Sequence, residues 1–274
     1  MTNSKKVILI TGASSGIGKA SAEQLITEGH IVYGLARDLE NLQKIEGLKP
    51  IVADVTDDKS LISTVNLVIE NEGKIDVLFN NAGYGLYGAV EDVPIDDAKK
   101  QFEVNLFGLA KLTQLILPHM RTAGQGLIIN MSSMGGKIYF PLGAWYHASK
   151  HAVEGFSDSL RLDVQSFGIN VSIIEPGAIA TNFGNVVDGP LMKYSGEGAY
   201  ASIAKAFSRS LKNTYGKPET LSPPSVVAMA VSRAVNSKRP KTRYVAGKYA
   251  RTLMLIRKIF GDRTFDKIAL RQIR

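Results

Sequence analysis

Six short apolar runs dominate the chain: KVILI (6–10), IVYGLA (31–36), PIVA (50–53), IDVLF (75–79), GLIINM (126–131) and INVSII (169–174). They are rich in Val and Ile and do not alternate apolar with polar residues, the pattern of strands whose two faces are both covered. Segments of helical length separate them, at about 16–29, 39–46, 57–72, 97–123 and 146–167. In the last, Val153, Phe156, Leu160 and Val164 recur at helical spacing. Alternation of this kind predicts a single doubly wound α/β domain, with a mostly parallel sheet and helices on both faces. At 274 residues with 45% hydrophobic side chains, the chain can bury such a core. The domain is expected to span 1–247. Within it, residues 182–224 break the rhythm with Gly184, Gly189, Pro190, Gly196, Pro218, Pro223 and Pro224. They read as a mobile excursion with one helix near 198–213, and not as a second domain.

Composition removes several chemistries. Without cysteine there can be no disulfide, thiolate nucleophile or Cys-ligated metal. The four histidines (His30, His119, His147, His151) form no ligand-spaced cluster with carboxylates, so no metal site is expected. The first apolar run is too short for a signal segment, and none reaches the ~18 residues of a membrane span, so a cytoplasmic protein is expected.

The net charge of +8 is unevenly placed: residues 233–274 hold 13 Lys/Arg against only Asp262 and Asp266, whereas residues 1–232 hold 20 Lys/Arg and 23 Asp/Glu. The basicity belongs to a C-terminal extension, 248–274, read as two short amphipathic helices broken near Gly261. There Tyr249, Leu253, Ile256 and Phe260 follow helical spacing, as do Arg263, Lys267, Arg271 and Arg274. Packing of these stripes on the domain or a sister subunit is preferred over peripheral contact with an anionic membrane. Nucleic acid is not an expected partner, since no reading motif or aromatic platform accompanies the charge.

The segment VILITGASSGIGKASAEQL puts a Gly-rich turn between a buried strand and a helix. Gly12, Gly16 and Gly18 remove side chains where backbone must approach a phosphate, and the helix start supplies free N–H groups. The spacing is G-x-x-x-G-x-G, not the common G-x-G-x-x-G, and tight packing is the bland alternative. At the end of the second strand, where an acidic residue would bond a ribose 2′-hydroxyl, stands Arg37, suited to gripping a 2′-phosphate. NADP(H) is therefore the expected cofactor. The neighbouring Asp38 keeps NAD as second choice, and a solvated surface arginine is the other reading.

TGASSGIG (11–18), NNAG (80–83), VNLFG (104–108), NMSS (130–133), YHASK (146–150) and EPG (175–177) occur in this order. As a set the chain resembles the short-chain dehydrogenase/reductase family, in its Tyr-x-x-x-Lys branch, over about residues 5–182. In general appearance it is most similar to bacterial relatives of the 17β-hydroxysteroid and retinol dehydrogenases. The resemblance implies a Rossmann-type fold and an NAD(P)-dependent oxidoreductase that interconverts a carbonyl and an alcohol. A phenol with pKa ~10 needs a nearby cation to work as an acid–base group at neutral pH, and Tyr146 and Lys150 share a helix face at i, i+4. By the family pattern Tyr146 is the proton donor or acceptor and Lys150 also holds the nicotinamide ribose. Ser133, thirteen residues before the tyrosine, would bond the substrate oxygen, and Asn105 would serve a water-mediated relay behind the lysine. Ser132 is left to a strand-end turn.

The same pattern assigns cofactor contacts to Gly12, Ser14, Ser15, Gly16, Ile17 and Gly18 in the loop, and to Asp54 and Val55 beside the adenine. It adds Asn81, Ala82 and Gly83 on the adenosine side, with Asn80 bracing the strands, and Pro176, Gly177, Ile179 and Thr181 past the nicotinamide. Asp54 as a helix-start residue is an open alternative. His147 and His151 are rotated ~100° off the catalytic face and read as surface or packing residues. Tyr84, Leu86 and Tyr87, the segment KIYFPLGAW (137–145) and the excursion would wall a lipophilic substrate. Trp145 stays open between substrate wall and core. Expected partners are a small carbonyl or alcohol substrate and further copies of the chain, as dimer or tetramer. The rival reading is a cofactor-binding regulator or scaffold without turnover.

Overall fold

A computed structural model of the chain describes residues 5–271 and residue 273. Arg274, part of the tail's basic spacing, lies outside the described residues. In chain order the first half runs β1 (Val7–Thr11), α1 (Gly16–Thr27), β2 (Ile31–Ala36), α2 (Leu39–Gln43), β3 (Lys49–Val52), α3 (Asp58–Glu72) and β4 (Val77–Asn80). Next come α4 (Ile95–Phe102), α5 (Leu109–Ala123), β5 (Gly126–Met131), α6 (Ala144–Val164) and β6 (Ile169–Pro176). The last part holds α7 (Phe183–Ser195), α8 (Ala201–Tyr215), α9 (Ser225–Asn236), β7 (Arg243–Ala246) and α10 (Ala250–Arg271).

The strands form one sheet in the order β3-β2-β1-β4-β5-β6-β7, every pair parallel. Successive side chains of β1 enter opposite cores. Ile8 and Ile10 pack with Leu25 of α1 and Val231 of α9, whereas Val7 and Leu9 pack with Val65 of α3, Ile116 of α5 and Leu160 of α6. This two-sided burial is why the runs lack alternation. Strand order reverses direction between β1 and β4, and the crevice outside their C-terminal ends is where such sheets take ligands.

Several readings are corrected by the structure. The predicted helix 97–123 is continuous in space but is interrupted by a π turn at Glu103–Gly108. The excursion is not loop-like: it contains two helices, α7 and α8, anchored by buried Val187, Leu191, Ala204 and Phe207. A seventh strand, β7, and helix α9 add to the predicted elements. The break at Gly261 is present as a kink with φ 72° and ψ 179° inside α10.

Candidate active site

The Gly-rich turn leaves β1 for the N-terminus of α1. Gly12 has φ +65°, and a Cβ placed on Gly18 would lie 2.1 Å from the Gly12 carbonyl oxygen, so only glycine closes this turn. Ser15 caps α1 without a side-chain hydrogen bond, and no acidic residue occupies the first turn. The N–H groups of Gly16, Ile17 and Gly18 are therefore free of side-chain acceptors at the positive end of the helix, the donor set a diphosphate needs. The loop is braced from β4. Asn81 donates its side-chain N–H to Thr11 O (2.9 Å) and Gly12 O (3.1 Å), and the Asn81 and Ala82 amides both donate to Thr11 Oγ1. Asn81 thus shapes the loop with its side chain. Thr181 lies against the same turn, its methyl 3.4 Å from where a Gly16 Cβ would be.

At the adenosine end, Arg37 is exposed beyond β2, with its guanidinium 3.9 Å from Asp54 Oδ2. Asp54 closes its own turn by accepting from the Thr56 amide (2.9 Å) and hydroxyl (2.8 Å); the residue that caps α3 is Asp57. Asp38 caps α2, accepting from the Asn41 amide and side chain, and these bonds hold its carboxyl below the usual range. Val55 and Ile179 turn into the two cores, and Pro176 is buried at the end of β6. Gly177 packs under Lys248, whose carbonyl would lie 2.0 Å from an added Cβ.

The catalytic candidates meet at the C-terminal ends of β4 and β5. Tyr146 and Lys150 occupy one face of α6 and are both buried. Lys150 donates to the Met131 carbonyl at 2.9 Å. Burial lowers its pKa to about 8, against the pull of Glu154 one turn further along. Burial likewise raises the Tyr146 phenol to about 12, partly offset by a hydrogen bond with Ser133. Ser133, extended at the end of β5, also accepts from the Gly135 amide at 3.0 Å. Ser132 is buried, its hydroxyl directed at the Ser133 carbonyl. Asn105 sits in the π turn, a distortion that breaks the regular helical ladder at functional positions. Its side chain exchanges two hydrogen bonds with the Tyr84 backbone, each 3.0 Å, and donates to Ser149 Oγ at 3.0 Å. Gly83 marks the convergence: a Cβ there would lie 3.0 Å from Asn105 Oδ1 and 3.4 Å from Lys150 Nζ. Asn80 braces the strands from behind, donating to Asn130 (2.9 Å) and Thr113 (3.1 Å).

Around Tyr146 the wall is apolar. Tyr87 and Phe183 lie 5.8 and 5.6 Å from its ring, and Val187, Leu191 and Phe207 complete the cluster. Leu86 is buried beside Tyr87. Trp145 faces the other way. It lines a cavity of about 180 Å³ with Ile95, Phe102 and Phe107 of the α4–α5 helix, so it is no wall of the Tyr146 site. His151 is exposed, and its Nδ1 pairs with the His147 carbonyl.

His147 is the residue whose importance the sequence did not convey. It is buried, with Nδ1–H donating to the Gly135 carbonyl and Nε2 accepting from the Phe140 amide, both at 3.0 Å. These bonds fix one tautomer, and burial lowers its pKa to about 4. The imidazole thereby clips both ends of the loop following Ser133 to the helix that carries Tyr146. A helical-wheel argument removes it from the acid–base chemistry but gives no sign of the loop it meets.

A parallel sheet with an open phosphate-type turn at its switch point, and a buried Tyr–Lys pair beside it, defines a dinucleotide-dependent oxidoreductase. The family model for short chain dehydrogenases matches residues 6–189. A 3-ketodihydrosphingosine reductase of Bacteroides thetaiotaomicron is 37% identical over 267 residues, 97% of this chain and 97% of that protein. Among solved structures, a short-chain dehydrogenase from Streptomyces avermitilis superposes with a TM-score of 0.78 at 33% identity, covering 93% of this chain and 92% of that one. A serine dehydrogenase complexed with NADP+ gives 0.76 at 26% identity, covering 88% and 94%. The chain belongs to the short-chain dehydrogenase/reductase family, enzymes that act on CH–OH groups with NAD(P).

Proposed function

We propose that the protein is an NADP(H)-dependent oxidoreductase that interconverts a lipophilic carbonyl and its alcohol, with Tyr146 as general acid and base. The observation that carries this reading is the burial of the Tyr146 phenol within an apolar wall, one helical turn from Lys150 and in hydrogen-bond contact with Ser133. The nicotinamide, when bound, supplies or accepts the hydride. In the reductive direction Ser133 holds the substrate oxygen and Tyr146 delivers the proton to it. Lys150, as a cation, stabilises the phenolate left behind. Asn105, held in the π turn with its side chain committed to Tyr84 and Ser149, keeps the water-mediated relay role behind Lys150.

The loop residues Gly12 to Gly18 would hold the diphosphate. Two features favour the phosphorylated cofactor. Arg37 is exposed and only loosely paired, free to grip a 2′-phosphate, and Asp38 is occupied as a helix cap, which removes the natural acceptor for a bare ribose. The lipophilic substrate is supported by the side chains that close over Tyr146 and by the 37% identity to a 3-ketodihydrosphingosine reductase. With Tyr146 only 7% exposed, a substrate reaches it by parting those apolar side chains.

The test is NADPH oxidation over a panel of long-chain ketones, aldehydes and quinones, with Tyr146→Phe alongside. Turnover is expected to fall about 10²–10⁴-fold in the variant while NADPH binding persists. Tight NADPH binding with no Tyr146-dependent turnover anywhere on the panel would instead support the regulator or scaffold reading.

A further inference from the structure

The C-terminal extension does two things at once. Its inner side is built into the substrate wall: Phe265, fully buried, packs on Ile138 and Phe140, and Tyr139 donates to Asp266 at 2.8 Å. Ile273 reaches the cluster around Tyr146 itself. Its outer side is different. At the kink, Ile259 and Phe260 are each 63% exposed, and Leu255, one turn back, is 55% exposed. Exposed Arg251, Lys258, Arg263 and Lys267 lie on the same helix to either side of the kink, and among the described residues none has a carboxylate partner. The acidic side chains nearest in sequence are already engaged, Asp262 by Arg257 and Asp266 by Tyr139.

We propose that this helix–kink–helix is a docking element for an anionic lipid bilayer. Ile259, Phe260 and Leu255 enter the interface, and the unpaired cations lie at headgroup level. The charge selects the partner's sign, and the apolar tip selects a bilayer over nucleic acid, whose phosphate backbone offers nothing for three bare aliphatic and aromatic side chains. No described helix is long and apolar enough to cross a membrane, so the contact is peripheral. The docking stands independently of the reaction proposed above. Its continuity with the substrate wall adds a consequence that does rest on that reading: docking brings the apolar wall around Tyr146, on which the extension packs, close to the phase that holds a lipophilic substrate.

The experiment is co-sedimentation of the full chain with phosphatidylcholine vesicles, with and without about 30 mol% phosphatidylglycerol. Truncating the extension would uncover Ile138 and Phe140, so point variants at exposed positions are used: Ile259→Asp with Phe260→Asp, and Lys258→Gln with Arg263→Gln. Binding is expected only to the anionic vesicles and to weaken with salt. It should fall about fivefold for each cation removed and at least about tenfold in the double aspartate variant, with the melting temperature unchanged. Equal sedimentation with both vesicle types, or binding indifferent to the aspartates, overturns the proposal. So does a change of sedimentation coefficient in the aspartate variant without any vesicle binding by the parent, which would mark the patch as a contact between copies. Turnover is measured in detergent-dispersed substrate as a separate readout, so loss of docking and loss of the proposed chemistry are distinguishable.

Discussion

Replacing His147 with Phe tests whether the loop after Ser133 is held by two hydrogen bonds or only by packing. The substitution keeps a planar ring of similar bulk but removes the donor to the Gly135 carbonyl and the acceptor for the Phe140 amide, both at 3.0 Å. A buried backbone group left without a partner costs about 1–3 kcal/mol. Gly135 is buried and Phe140 half-buried, so the Phe140 amide recovers part of its loss from water. The expected loss is about 2–4 kcal/mol, or about 5–15 °C in melting temperature for a chain of this size. His147→Asn can still donate to Gly135 and should fall between the two. Because Ser133 rides on the same loop, kcat/KM falls with KM rising, in the same order.

The pH dependence separates this account from simple misfit. The imidazole is held at about 4 in the fold against 6.5 in the unfolded chain. Between those values the unfolded chain carries the extra proton, so stability rises with pH, and up to about 3 kcal/mol is lost as pH falls through the window. His147→Phe has no such slope. The gap between parent and variant, followed by thermal melting from pH 7.5 to 4.5, should be widest near neutrality and narrow in acid. A gap that is constant with pH, or a variant melting within a degree of the parent, refutes the clip.

Two further outcomes concern the cofactor and the cation. Arg37→Ala should raise the KM for NADPH by about 10–100-fold, the loss of charge-assisted hydrogen bonds, and leave that for NADH nearly unchanged; equal effects on both would remove Arg37 from cofactor choice. With Lys150 at about 8, kcat/KM for reduction should be level below that pH and decline above it as the cation is lost. Glu154 raises the Lys150 pKa, so Glu154→Gln should move the declining limb toward lower pH. A limb that stays in place would show that Glu154 serves only Lys137 and Arg243, its partners at 2.9 Å.

What was legible in the sequence follows from where local pattern and tertiary context agree. Five of the six predicted strands are buried on both faces, so their composition announces them; β3, at one edge of the sheet, buries only Ile51 and is marked instead by its short apolar run. β7 is an edge strand, paired only with β6 and half-exposed over Arg243–Val245, and TRYVAG carries none of that signature. Helix α9 escaped for the opposite reason: in SVVAMAVSRAVN seven of twelve positions are buried, so no polar face marks a helical period. The π turn has no spacing rule of its own, and Asn105 was found by its motif while the distortion holding it was not.

His147 shows the same limit inside the site. Its place on α6 is fixed by its neighbours in sequence, and the angle away from Tyr146 follows from helix geometry alone. The loop waiting at that angle is fixed by β5, by Ser133 and by the C-terminal extension that grips Tyr139 and Phe140. The chain therefore sets the geometry of Ser133 from two sides, through His147 within and Phe265 from the tail. A perturbation of the extension's inner face should accordingly reach the substrate oxygen site, whereas one on its outer face should not. That asymmetry is why the outer-face aspartate variant can report on docking without disturbing the chemistry.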